Sequence, residues 1–272
     1  MNGRNAVLAA VGAAAAVALA VGGYALAGRT TQSTGGVSAG TGGAVSTTQP
    51  SATSTATSSA SAPSSSEGTS IAPSQPQPAR VDKPRLVQDP IPYSASRRAQ
   101  MAEYARRHYG VSSSALQPKL IVLHFTASGA GSYPGVHATF SSNAPNRGEL
   151  PGVCAHFVVD QDGTIYQLVP LNVMCRHTIG VNDRALGIEM VQEGGSSSHW
   201  ADQQILHRPA QIRSVLRLVR WLQHRYGISR SNVIGHAMAN DSPFFHDLQG
   251  WTNDHTDWQA EDVAQLRAML QQ

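Results

Sequence analysis

The chain has 272 residues and a formal net charge of +3. Between positions 1 and 79 the only Lys, Arg, Asp or Glu residues are Arg4, Arg29 and Glu67, so nearly all charge lies beyond, where basic and acidic residues almost balance. Without a clustered basic face, that balance excludes the electrostatic footprint of a nucleic-acid binder.

Residues 6–27 form an uncharged run of Ala, Val, Leu and Gly behind Arg4, ending in Ala25, Leu26 and Ala27. A positive start, an apolar stretch and a small-x-small site predict a signal peptide over residues 1–27. The run is also long enough to serve as a retained membrane anchor, since about 20 apolar residues cross a bilayer. Both readings export the remainder, to be secreted, associated with the cell wall or held at the outer face of the membrane. Residues 28–79, rich in Ser, Thr, Gly and Pro without apolar periodicity, are expected to be a disordered linker.

Residues 80–117 read as a helical extension packed on the domain that follows. Within it, residues 94–109 place Met101, Tyr104, Ala105 and Tyr109 on one helix face, with Ser94 or Ser96 as N-cap and Gly110 as the stop. Residues 120–125, LIVLHF, are a short continuous apolar run that predicts a buried strand. His124 falls near its end, where a rigid sheet presents a ligand to a cleft. Residues 127–152 are rich in Gly, Ser, Asn and Pro and read as a groove-walling loop, with a short helical turn at His137, Thr139 and Phe140. Residues 155–160 and 164–169 flank Gln161-Asp162-Gly163 and predict a β-hairpin in the same sheet. Cys154 and Cys175, the only two cysteines, bracket that hairpin. An even pair in an exported chain predicts a disulfide.

Residues 186–191, LGIEMV, read as a further buried strand carrying Glu189. A carboxylate inside an apolar run is costly unless paired or protonated, and a raised pKa suits a general base. Residues 209–226 place Ile212, Val215, Leu216, Val219 and Leu222 on the inner face of a helix that begins at Pro209 and stops at Gly227. Residues 232–234 form a short strand running into Gly235 and His236, and residues 261–270 close the chain as a helix with Val263, Leu266 and Leu270 inward. Residues 234–258 crowd together three of the eleven histidines and four aspartates. Such a segment supplies part of a zinc site, with a further ligand from elsewhere, or is simply a His-rich surface loop. The expected fold class is α/β, a single domain with a mixed central sheet flanked by helices and the zinc at one sheet edge.

In that order, IVLHFTAS, AHFVVDQDGTIYQLVP, RHTIGVNDRALGIEM, VIGHAMANDSP and HTDW resemble the type-2 N-acetylmuramoyl-L-alanine amidases. That zinc-dependent family is related to peptidoglycan recognition proteins. The resemblance covers residues 120–258 and implies a zinc amidase domain over residues 118–272, with peptidoglycan or a muropeptide as substrate. It further implies His124, His236 and Asp257 as zinc ligands, Glu189 as the acid–base residue, His255 in the place of the family's lysine beside the oxyanion, and His177 lining the substrate groove. Arg176 replaces the family's tryptophan. The interval from His236 to Asp257 is longer than in compact members, which leaves Asp254 and His246 open as alternatives for the third ligand. Two other functions fit the same pattern: a module that binds peptidoglycan without cutting it, and a zinc hydrolase of another cell-wall amide.

Overall fold

The structure, a computed structural model, describes residues 81–127 and 132–271. The expected signal or anchor and the Ser/Thr-rich linker lie outside the described residues. Six strands form one mixed sheet in the order β1-β4-β3-β5-β2-β6. They are β1 (Val87–Gln88), β2 (Leu120–Ala127), β3 (Phe157–Val159), β4 (Ile165–Gln167), β5 (Ala185–Glu193) and β6 (Val233–Gly235). Strand β2 pairs in parallel with both β5 and β6, β3 pairs in parallel with β5, and β3 and β4 form the antiparallel hairpin. Gly163 takes the positive φ, 89°, that its turn requires.

Alternation along β2 divides the molecule. Ile121, Leu123 and Phe125 join Leu186, Ile188, Met190, Phe157 and Val159 in the main core. Over that face lie α3 (Ser198–Leu206), α4 (Pro209–Tyr226) and α5 (Ala260–Met269), set against β5, β3 and β6. Each such fully buried side chain stabilises the fold by about 1.5–3 kcal/mol. Leu120, Val122 and His124 point to the opposite face, where Leu120 and Val122 pack with Val181, Ala185 and Ile234 beneath Phe244 and Phe245.

Helix α1 (Ala95–Tyr109) is capped by Ser94, whose side chain accepts from the Arg97 N–H, and it buries the four predicted residues together with Arg97 and His108. Helix α4 matches its expected span, although Leu218 and Trp221 are buried where Leu216 is only partly so. The turn expected near His137 is a nine-residue helix, α2 (Tyr133–Ser141). Helix α3 was not expected: in SHWADQQIL only Ala201, Ile205 and Leu206 mark its apolar face. Cys154 and Cys175 form the predicted disulfide, their Cα atoms 5.7 Å apart. No helix among the described residues is long and apolar enough to cross a membrane.

Candidate metal centre

Three parallel strands deliver the site from their C-terminal ends. His124 and Glu189 are register partners on β2 and β5, so their side chains leave the same face of the sheet side by side. Gly235 pairs with Leu123 at the end of β6, and His236 follows it into a 3-10 turn, His236–Asp241. Asp257 arrives from the far end of a long excursion and is held there by backbone contacts. The Ala237 N–H donates to the Asp257 carbonyl at 2.9 Å. The buried Asp202 carboxylate of α3 accepts from the N–H groups of Trp258 and Gln259 at 3.2 and 3.3 Å. Gly235 permits the approach, because a Cβ there would stand 1.6 Å from the Trp258 carbonyl oxygen. Asn253 Nδ2 donates to the His236 carbonyl at 2.9 Å and ties the excursion to the first turn after β6.

These constraints bring His124 Nδ1 within 3.0 Å of His236 Nδ1 and 3.5 Å of Asp257 Oδ2, with His236 Nδ1 3.2 Å from Asp257 Oδ1. Bonds of about 2.0–2.1 Å to a tetrahedral ion place ligand atoms roughly 3.3 Å apart. The observed triangle therefore fits zinc. All three residues are buried, and their ligand atoms lie within 4.8 Å of one another. Burial, then the neighbouring His236, pushes the pKa of His124 down to about 4. Burial alone would raise Asp257, but the imidazoles of His236 and His124 outweigh it and hold its carboxyl far below the usual range. Near neutrality His124 and Asp257 are thus both in the deprotonated forms that bind metal. Glu189, partly exposed above them, is raised to about 8, first by desolvation and then by the charge of Asp257.

His255 lies parallel to His236, ring centroids 4.2 Å apart, with its Nδ1 3.9 Å from Asp257 Oδ1. Partial desolvation lowers its pKa from the ordinary histidine value, although its ring remains more than half exposed. His177 sits beside His124, its Nδ1 3.1 Å from His124 Nε2. Arg176 is buried with its guanidinium over the Tyr104 ring, and it donates to the carbonyls of Glu149, Pro151 and Asn146, pinning the loop before the disulfide. Neither alternative ligand joins the triangle. Asp254 is exposed and paired with Arg147, while His246 faces Asp183 and the Tyr109 ring. Among the described residues a second cluster, His199 with Glu261 and Asp262, brings candidate ligand atoms together at the junction of α3 and α5. Sequence reasoning missed it and Asp202, because polar residues in the unexpected helix α3 and in the first turn of α5 carry no signal of a site, and it gave Asn253 no role although that residue lies inside the segment 234–258.

A family model described as N-acetylmuramoyl-L-alanine amidase matches residues 114–265. No curated protein matches the chain. Among solved structures, N-acetylmuramoyl-L-alanine amidase LysC from Clostridium intestinale URNW is 24% identical, with 70% of this chain and 99% of that chain covered, at a TM-score of 0.43. Staphylococcus aureus hydrolase AmiA in complex with its ligand is 17% identical over 68% of this chain and 82% of that one, TM-score 0.44. A mutant endolysin from Bacillus subtilis is 24% identical over 56% of this chain and 83% of that one, TM-score 0.38.

Proposed function

The chain belongs to the N-acetylmuramoyl-L-alanine amidase family, and from that premise we propose that His124, His236 and Asp257 hold its zinc while Glu189 and His255 carry the chemistry. It is a hydrolase of the amide between N-acetylmuramic acid and L-alanine, with peptidoglycan as substrate. The observation that carries the metal assignment is the buried triangle of two imidazoles and a carboxylate, drawn from three separate segments, with Glu189 in register beside it.

Zinc in a set of two histidines and one carboxylate supplies a Lewis acid and an acidified water. Glu189 takes the proton from the water that attacks the amide carbon and returns it to the departing L-alanine nitrogen. Desolvation and the neighbouring Asp257 charge raise its proton affinity in the metal-free protein, and a carboxyl that can both accept and release a proton suits that role. His255 donates an N–H to the carbonyl oxygen as negative charge develops there. His177 borders the same face.

Export and domain layout complete the reading. Residues 1–27 direct the chain outside the cytoplasm, residues 28–79 let the domain reach the wall, and residues 80–117 brace the catalytic domain of residues 118–272. The uncharged N-terminal run supports this, and so does the disulfide, which belongs to oxidising compartments. Digestion of purified peptidoglycan, followed by mass spectrometry, tests the assignment. The wild-type chain should release peptides with a free L-alanine N-terminus, and Glu189→Gln should bind zinc equally while losing roughly 10²–10⁴-fold in rate. Undiminished turnover in that variant would remove Glu189 from its role.

A further inference from the structure

The segment between α2 and β3 carries a tight hairpin tip. The Asn146 N–H donates to the Glu149 carbonyl and the Glu149 N–H to the Asn146 carbonyl, both at 3.0 Å, so Arg147 and Gly148 are the two central residues, with positive φ values of 51° and 75°. Glycine enters that region freely, whereas Arg147 occupies it against the steric preference of an L-residue. The tip is held from beneath. Buried Arg176 donates to the Asn146 and Glu149 carbonyls at 2.9 and 2.8 Å, and the Glu149 carboxylate meets His108 Nε2 at 2.9 Å. What this fixed tip presents is a guanidinium. Arg147 reaches the excursion after β6, where it pairs with Asp254 and lies 5.9 Å from the centroid of the Trp251 ring. Asp254 directly precedes His255, which stacks on His236, and the charges of both Arg147 and Asp254 act on the His255 ring.

The pair is open to solvent, with side chains 38% and 61% exposed, and exposed pairs of this kind are weak. Among the described residues only Nη2 of Arg147 donates to a protein group. A guanidinium has five N–H donors in a planar fork that matches a carboxylate, so most of this fork is left for a second anion. Resting on the amidase reading above, we infer that Arg147 is a specificity-determining residue that binds a carboxylate of the substrate's peptide stem, sharing or exchanging its hold on Asp254. The chemistry of the substrate leaves one place for that charge. The acetylated sugar is neutral, and the muramic carboxyl is consumed in the scissile amide. The peptide beyond L-alanine carries a carboxylate wherever its chain ends. A cation fixed one residue from His255 therefore reads the peptide side of the amide.

Kinetics of the full chain on two soluble muropeptides provide the test, one with its stem carboxylates free and the other with the same carboxylates converted to amides. The wild type should favour the free acid in kcat/KM, and Arg147→Gln should shrink that preference about 10–100-fold, chiefly through KM. A wild type indifferent to amidation overturns the inference. So does an Arg147→Gln protein with an undiminished preference, including one that loses equally on both substrates, since a damaged fold does not read charge. Arg147→Gly, which suits the positive φ, takes the place of the glutamine variant if that one does not fold. A wild-type chain that cleaves neither muropeptide sinks the amidase reading instead. Calorimetric binding of the two muropeptides to wild type and variant then judges the arginine, and equal binding of both by the wild type overturns it.

Discussion

At the scale of single residues, the site is a set of groups whose ordinary protonation has been displaced by burial. His124 and the fully buried His156 are both lowered to about 4, so the unfolded chain takes up protons below about 6.5 that the folded chain excludes. Stability of the metal-free protein should therefore fall as pH drops from about 6.5 to 4. Glu189 acts on the other side: raised to about 8 from 4.5, it keeps a proton in the folded state that the unfolded chain has already released, so stability also falls as pH rises between those values. Urea denaturation of chelator-treated protein should show both limbs. Glu189→Gln should flatten the alkaline one, gaining roughly 1–3 kcal/mol over wild type at pH 9 and nothing at pH 4. An alkaline limb identical in the two proteins would contradict the raised pKa of that carboxyl. His124, Glu189 and His236 were legible in the sequence because each interrupts or ends an apolar strand, where a polar group needs a reason. Asp202 was not, because a polar residue in a weakly amphipathic helix carries no such signal.

At the scale of elements, helix α1 holds more than its periodicity showed. Its apolar face was readable, but His108 lies on that face, fully buried, with Nδ1 2.8 Å from Asp247 and Nε2 2.9 Å from Glu149. The ring stacks on Tyr104, centroids 4.1 Å apart, and meets Trp251 edge-on at 4.7 Å. One imidazole thus ties the helix to the loop before the disulfide and to the excursion that ends at Asp257. His108→Leu should cost about 2–4 kcal/mol, because it strips a partner from an Asp247 side chain that is only 1% exposed. Arg106→Ala, which removes an exposed pair with Glu103, should change stability by less than about 1 kcal/mol. Urea denaturation of both variants checks the contrast, and equal effects would deny His108 its joining role. The excursion itself is bound down rather than free. The Leu248 N–H donates to the His108 carbonyl at 2.8 Å and the His246 N–H to the Gly180 carbonyl at 2.9 Å. That binding is why its length, visible in the sequence, did not reveal which of its acids returns to His124 and His236.

At the scale of the molecule, the family and the sheet explain each other. Parallel strands β5, β2 and β6 aim Glu189, His124 and His236 from one end of the sheet, and the excursion after β6 closes the triangle with Asp257. Strand order was not readable, since pairing between distant strands depends on packing that no local pattern carries. The measurement that bears most directly on the whole account is zinc content per chain, in the wild-type protein and in Asp257→Ala, Asp254→Ala and His246→Ala. One zinc per chain in the wild type, retained by the Asp254 and His246 variants and lost from Asp257→Ala, is the predicted result. Zinc retained at full occupancy and affinity by Asp257→Ala would contradict it.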